Sequence, residues 1–271
     1  MILSDIELSR KLERTEARSN ADFVETRVRL DPASGAEWIE VGGAYAMFDG
    51  VESPLTQTFG LGVFTDTTDA ALDQIEAFFD KKGAPVFHEV SPLADASLLE
   101  LFDRRGYRPI ELTSVMFQQL ESGGLPRVAK NPKISVRVID ESDADLWAAT
   151  AAEGWGSEEP GLRDFILAIG RIAARTKGGR SFLAELDGEP IATGGFCVYD
   201  DVCILAGAST VPAARNQGAQ NALLAARLNF AVANGCRFAM MCAAPGSQSQ
   251  TNAQKNGFEI AYTRIKWQLK V

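Results

Sequence analysis

The sequence predicts an α/β fold in which one structural unit is built twice along the chain, and two observations carry that expectation. At 271 residues the chain is longer than one compact domain usually is, and 46% apolar with 23% charged residues is the mix of a globular protein rather than a disordered one. The second observation is an internal echo. Asp103-Arg104-Arg105-Gly106-Tyr107 answers Gln254-Lys255-Asn256-Gly257-Phe258, and upstream the stretch 72–83 answers 224–235 at nearly the same offset. Each copy sets a helix, a glycine able to end it and a strand in the same order, which a duplicated unit explains economically.

Taken in order, Ser4-Asp5-Ile6-Glu7 has the spacing of a capping box, so a helix is expected from there to about Asn20. Strands follow at 44–48 and 58–64, a helix at 69–82 stopped by Gly83, a strand at 85–89, a short helix at 98–105 closed by Gly106, and a strand at 110–120. Gly123-Gly124, Pro126 and Pro132 mark a linker over 123–132, which separates a first domain (1–122) from a second (133–271). The second half predicts a strand at 134–139, helices at 143–153 and 161–175, and strands at 182–186, 191–199 and 202–211. A helix at 219–233, a strand at 238–243, a short helix at 249–256 and a strand at 260–269 complete it.

A formal charge of −9 argues against a nucleic-acid partner, because phosphate backbones are gripped by clustered Lys and Arg and no such cluster occurs. The same balance mildly favours a cationic or amine substrate. No apolar run approaches the roughly 20 residues that span a bilayer, and the N-terminus lacks a secretory pattern, so a cytoplasmic protein without a membrane partner is expected. Cys197, Cys203, Cys236 and Cys242 form no CxxC pair and the single histidine, His88, lies in the other half. No metal site is expected from that set, and buried free thiols are the plain reading.

The chemistry concentrates in Val211-Pro212-Ala213-Ala214-Arg215-Asn216-Gln217-Gly218-Ala219-Gln220, which joins an apolar strand to a helix whose Ala219, Ala222, Leu223, Ala226 and Phe230 share one face. No Ser, Thr or Asp stands in the first turn. Backbone N–H groups at the positive end of the helix dipole are therefore left to face an outside anion. Gly218 removes the Cβ that would hold a phosphate away, and Arg215 adds a charge. Thr65-Asp66-Thr67-Thr68-Asp69-Ala70, the matching stretch of the first half, carries side chains that cap the helix themselves and would repel a pyrophosphate.

Pro212, Arg215 and Gly218 resemble the pyrophosphate loop of the GNAT family of N-acetyltransferases, in which Arg or Gln is followed by two residues, Gly, one residue, and Gly or Ala. Gln220 departs from that pattern and is expected to crowd the loop. Asn252 and Asn256-Gly257-Phe258 are similar to the family's coenzyme-contacting helix and closing Gly-Phe turn, so the resemblance covers about 134–269. It implies two tandem GNAT-like domains, each a mixed, largely antiparallel twisted sheet flanked by helices, the first a degenerate copy that braces the second or walls its substrate cleft.

The resemblance also implies acetyl-CoA as cosubstrate, with the strand at 202–211 splaying from that at 238–243 to admit the pantetheine arm. Ala208, Thr210, Val211, Arg215, Asn216, Gln217, Gly218, Ala219, Gln220 and Asn252 become the coenzyme contacts. The acceptor is a primary amine of a small molecule or peptide, with Glu153 and Trp155 at its pocket. No carboxylate interrupts 202–209, and Ala253 stands where many members carry a tyrosine, so no catalytic acid or base is assigned. Glu153, Glu158, Glu159, Tyr199 and Tyr262 remain candidates. A non-catalytic coenzyme A module and a purely structural partner protein remain as alternatives, and no pattern fixes an oligomeric state.

Overall fold

The computed structural model describes residues 4–120, 131–156 and 161–270. In chain order the elements are α1 (Ile6–Leu30), β1 (Glu37–Val41), β2 (Ala44–Phe48), β3 (Gln57–Phe59), α2 (Asp69–Lys81), β4 (Phe87–Val90), α3 (Ser97–Arg105) and β5 (Tyr107–Gln119). Then come β6 (Ile134–Val138), α4 (Ala144–Gly156), α5 (Leu162–Ala173), β7 (Gly179–Leu186), β8 (Glu189–Tyr199), β9 (Val202–Thr210), α6 (Ala219–Ala233), β10 (Phe238–Ala243), α7 (Gln248–Lys255) and β11 (Glu259–Leu269). They form two compact units, Met1–Phe117 with Cys242–Val271, and Gln118–Met241.

This division differs from the linear boundary expected from the sequence. The expected linker lies mostly outside the described residues, and α7 and β11, assigned above to 133–271, pack with the first unit. The reason is hydrogen bonding: β11 is inserted between β4 and β5 and pairs antiparallel with both.

Both units repeat one topology. In the first the strand order is β1-β2-β3-β4-β11-β5, antiparallel except that β3 and β4 run parallel. In the second it is β10-β9-β8-β7-β6, antiparallel except for the parallel pair β9 and β10. A parallel pair cannot be closed by a tight turn, and a helix makes the crossover each time, α2 in the first unit and α6 in the second. The core of the first unit gathers Leu72, Ile75, Phe79, Leu98 and Phe102 from its helices against Ala46 and Val90 of the sheet. In the second, Trp147 and Ala151 of α4 pack on Leu183 of β7.

Three elements depart from expectation. α1 runs to Leu30 rather than ending near Asn20, because Ala17, Ala21 and Val24 continue its buried stripe against Tyr45, Met47 and Phe59. Its N-cap is Asp5, whose carboxylate accepts from Leu8 N at 2.9 Å, while Glu7 pairs with Arg10 at 2.7 Å instead of closing a box. β1 was not anticipated, although Gly42 and Gly43, with φ of 57° and 83°, form the tight turn that joins it to β2. The strand expected over 58–64 stops at Phe59, since Gly60 and Gly62 take φ of 78° and 72° and turn the chain.

Burial has drawn charge into the first unit. The guanidinium of Arg264, 2% exposed, donates from Nε to Glu89 at 2.9 Å and from Nη1 to Glu16 at 2.8 Å, with Glu13 at 3.4 Å and the ring of Phe59 at 5.2 Å. Tyr262 donates to Glu13 at 2.8 Å. Burial outweighs the attraction of Arg264 and pushes the Glu13 carboxyl up to about 7. Elsewhere in this unit Tyr107 donates to Glu76 at 2.8 Å, so the His88 Nε2–H, 3.0 Å from the Tyr107 oxygen, is the donor of that pair. His88 Nδ1 is left without a partner, and burial holds the ring down to about 3.

These two groups act on stability with opposite sign. Glu13 holds its proton more tightly when folded, so its contribution is complete below pH 4.5 and is lost as pH rises through about 7. His88 resists protonation when folded, so its contribution is present above pH 6.5 and is lost as pH falls toward 3. Replacing Glu13 with Gln should remove a fall in unfolding free energy of up to about 3 kcal/mol between those first two limits. Denaturant midpoints of both proteins measured at pH 4.5, 6 and 8 check this; parallel curves would refute it.

Candidate functional site

The second unit opens its sheet from within. β9 pairs with β10 only from Val202 to Ile204, opposite Phe238 to Met240, yet it stays paired with β8 to the level of Thr210. In the part that has left β10, Ala206, Gly207 and Ala208 are exposed while both flanks of the strand are buried. The register explains how. Thr193 faces Ser209 and Gly195 faces Ala206, so β9 carries one extra residue, a bulge at Gly207 with φ of 60°.

Several contacts fix the bulge. Thr193 Oγ1 lies 3.3 Å from the carbonyl of Gly207 and 2.8 Å from Ser209 Oγ, and a Cβ on Gly195 would make a tight contact of 3.2 Å with the Ala206 carbonyl oxygen. On β8, the guanidinium of Arg227 from α6 donates to the Gly195 carbonyl at 3.2 Å. The last turn of α4 meets the end of the strand, where a Cβ on Gly154 would lie 2.8 Å from Ser209 Cβ and 3.1 Å from Thr210 N. Glu153 and Trp155, the neighbours of Gly154 in the chain, are both exposed.

After β9 the chain makes one 3-10 turn over Pro212–Ala214, with Val211 N bonded to Ile191 O at 2.9 Å, and then enters α6. Asn216 and Gly218 take positive φ of 62° and 90° on either side of Gln217. Gly218 is the N-cap residue, no side chain caps the helix, and nothing lies within 4 Å of where its Cβ would be. The amides of Gly218, Ala219, Gln220 and Asn221 meet no acceptor among the described residues, whereas Ala222 N bonds to Gly218 O at 3.0 Å.

Polar side chains that could have closed this end turn elsewhere. Gln220, expected to crowd the loop, folds back and donates Nε2 to Ser209 O and Thr210 Oγ1, each at 2.8 Å. Gln217 reaches Ala213 O at 3.3 Å, and Arg215 donates to Gly154 O at 3.1 Å, tying the loop to α4. In α2, the counterpart helix, Thr68 accepts from Ala71 N and Arg105 binds Asp69 at 2.9 Å.

The structure thus brings Ala208 through Gln220 together with Glu153 and Trp155 in one unit, while Asn252 and Ala253 lie on α7 in the other. Glu158 and Glu159 lie outside the described residues. Tyr262 is excluded as an acid: it is buried against Glu13, and burial with that carboxylate pushes its hydroxyl well above the phenol range. Tyr199 ends β8 opposite Val202, at the hairpin turn. The buried face of α6 is wider than expected and takes in Leu224, Ala225, Arg227, Leu228 and Ala231.

Sequence reasoning missed Gly154, Thr193, Gly195 and Arg227; a glycine inside α4 and a charge among the leucines of α6 were the available signals. Among the described residues no group of three or more His, Cys, Asp or Glu could hold a metal, and no helix is long and apolar enough to cross a membrane.

The acetyltransferase (GNAT) family model matches residues 144–258, a span that begins at α4 and takes in the bulge and the α6 turn. Among solved structures, a GCN5-related N-acetyltransferase from Kribbella flavida aligns with 94% of this chain and 95% of its own, at 18% identity and a TM-score of 0.64. A tandem GNAT protein from the clavulanic acid biosynthesis pathway aligns with 100% of this chain and 98% of its own, at 12% identity and a TM-score of 0.61. A GCN5-related N-acetyltransferase from Sphaerobacter thermophilus covers 84% of this chain and 77% of its own, at 16% identity and a TM-score of 0.58. No curated protein matches. Residues 144–258 thus match the acetyltransferase (GNAT) family model, and nearly the whole length of the chain shares the fold of these structures.

Replacing Gly154 with Ala should cost roughly 1–3 kcal/mol, since the added methyl meets backbone and the Ser209 side chain and the helix end must shift. A thermal melt compared with wild type checks it, and an unchanged midpoint would show that α4 and β9 are not in tight contact.

Proposed function

We propose that the second unit binds acetyl-CoA and transfers its acetyl group to a primary amine of a small molecule or peptide. The observation that carries this reading is the uncapped start of α6 directly after the exposed, half-unpaired end of β9. The residues fit the coenzyme: free amides from Gly218 to Asn221 at the positive end of a helix suit a pyrophosphate, and open space at Gly218 lets it approach. The backbone of Ala206–Ala208, exposed at a strand edge, offers the hydrogen bonds of an added strand to the amides of a pantetheine arm.

In this reading the bulge supplies a main-chain N–H to the acyl carbonyl, where negative charge grows as the amine attacks. The end of α4 with Glu153 and Trp155 shapes the acceptor side. An alkyl ammonium has a pKa near ~10.4 and must lose a proton before it attacks. The first unit, with its helix start closed by Thr68 and Asp69 held by Arg105, takes no coenzyme and serves as a degenerate copy. A second reading, coenzyme binding without turnover, is favoured by two observations: β9 carries no carboxylate, and Tyr262 is committed to Glu13.

Calorimetry with acetyl-CoA and thiol release across a panel of amines test both. Heat with thiol release supports the transferase, heat alone supports the binding module, and no heat removes both. Gly218 replaced by Asp should weaken acetyl-CoA binding by at least about tenfold, because the carboxylate sits where the pyrophosphate is held and φ of 90° strains any side chain. Asp66 replaced by Asn in the first unit should leave affinity unchanged. Equal losses in the two variants would place the coenzyme elsewhere.

A further inference from the structure

Arg227 is an unusual residue for the middle of an apolar helix face. It is 4% exposed, no carboxylate among the described residues pairs with it, and burial lowers it only to about 10, so it remains charged at neutral pH. Its Nε returns to Leu223 O at 3.3 Å and its Nη1 donates to Gly195 O at 3.2 Å. The planar group lies against Gly194, where an added Cβ would come within 2.9 Å of the guanidinium carbon. A buried cation without a counter-ion is costly, and an apolar side chain of similar length would fill the same space without that cost. What the arginine alone provides beyond its own helix is a charged donor to one carbonyl, that of Gly195.

That carbonyl belongs to the residue facing Ala206, where the bulge begins. On the other side of the irregularity Thr193 approaches Gly207 O. The two β8 positions that flank the extra residue of β9 are therefore both held by side chains, one from α6 and one from β8 itself.

We propose that Arg227 is a positioning residue for the acyl group. By holding the Gly195 carbonyl it fixes the bulge so that a backbone N–H of Ala206–Ala208 meets the thioester carbonyl, and the bulge rather than the α6 turn distinguishes acetyl-CoA from free coenzyme A. This rests on the acetyl-CoA reading above. It separates two functions within one site: the α6 turn sets affinity for the shared nucleotide and pyrophosphate, and Arg227 sets the preference for the acylated form.

The test is calorimetry of the full chain with coenzyme A and with acetyl-CoA, read as the ratio of the two dissociation constants. The wild type should favour acetyl-CoA by roughly fivefold, the worth of one net hydrogen bond. Replacing Arg227 with Met should bring the ratio to about one while the coenzyme A affinity stays within about twofold. Gly194 replaced by Ala, which keeps the charge but displaces the guanidinium, should do the same, and combining the two should cost nothing further. Arg227 replaced by Lys should retain part of the preference.

A preference that survives in the Met variant, or two affinities that fall together at constant ratio, would overturn the proposal and leave Arg227 a structural residue. If the Met variant does not fold, the Gly194 and Lys variants decide by the same criterion. A wild type that binds both ligands equally refutes the role of Arg227 alone. One that binds neither refutes the acetyl-CoA reading itself.

Discussion

The second unit depends on a strand that must keep one neighbour and abandon the other. β9 remains in register with β8 while its ladder with β10 ends at Ile204, and a sheet interior does not part without cause, because each lost pair leaves a donor and an acceptor to be satisfied. The cause is steric and local. The extra residue at Gly207 bends the strand, Gly195 tolerates the close approach of the Ala206 carbonyl, and α4 presses on Ser209 and Thr210 through a helix position that carries no side chain. Gln220 then satisfies the Ser209 carbonyl from the first turn of α6. The consequence is an exposed strand edge followed directly by a helix start whose first amides meet no acceptor among the described residues.

The first unit shows the same topology with those groups consumed. Its helix α2 begins under Thr68, and Asp69 beside the cap is neutralised by Arg104 and Arg105. Around its parallel pair, Glu89 at the end of β4 is taken by Arg264, Ser91 by Ser9 of α1 at 2.9 Å, and the Val63 carbonyl by Arg10 at 2.9 Å. α1, which lies against β1, β2 and β3, thus supplies two of these partners, Ser9 and Arg10, and β11 supplies the third, Arg264. Duplication explains the shared topology, and side-chain chemistry at a few positions explains why the two copies expose different things.

How much of this could be read from the sequence depends on whether a feature is local. α6 and β10 were legible to the residue, since an apolar run, a glycine and helix periodicity set their limits without reference to the rest of the chain. The uncapped start of α6 was legible for the same reason, being a statement about which side chains are missing. Partner choice was not. The insertion of β11 between β4 and β5 is a long-range pairing that its own pattern does not specify, so the domain boundary drawn by composition missed it. Side-chain direction was equally hidden: Gln220 looked like an obstruction and proved to be a brace, and Tyr262 looked available until its pairing with Glu13 was seen. Trp147 and Trp155 show the limit within one helix, the first buried and donating to Phe182 O at 2.9 Å, the second 42% exposed.

Buried charge separates the two units further. In the first, one guanidinium faces three carboxylates, and burial, with the neighbouring carboxylates adding to it, pushes Glu13 up to about 7. In the second, Arg227 stands in the interior with no carboxylate beside it, so the uncompensated buried charge is positive. Fields from buried charges are weakly screened, unlike those of the surface residues that give the chain its formal charge of −9. The buried charge left without a partner thus differs in sign between the two units, which the net charge does not show. β9 carries no carboxylate, and its one thiol, Cys203, is pushed well up by its hydrogen bond with Cys236 and by burial, so what this unit presents is fixed position and backbone dipoles rather than an ionisable group on the strand.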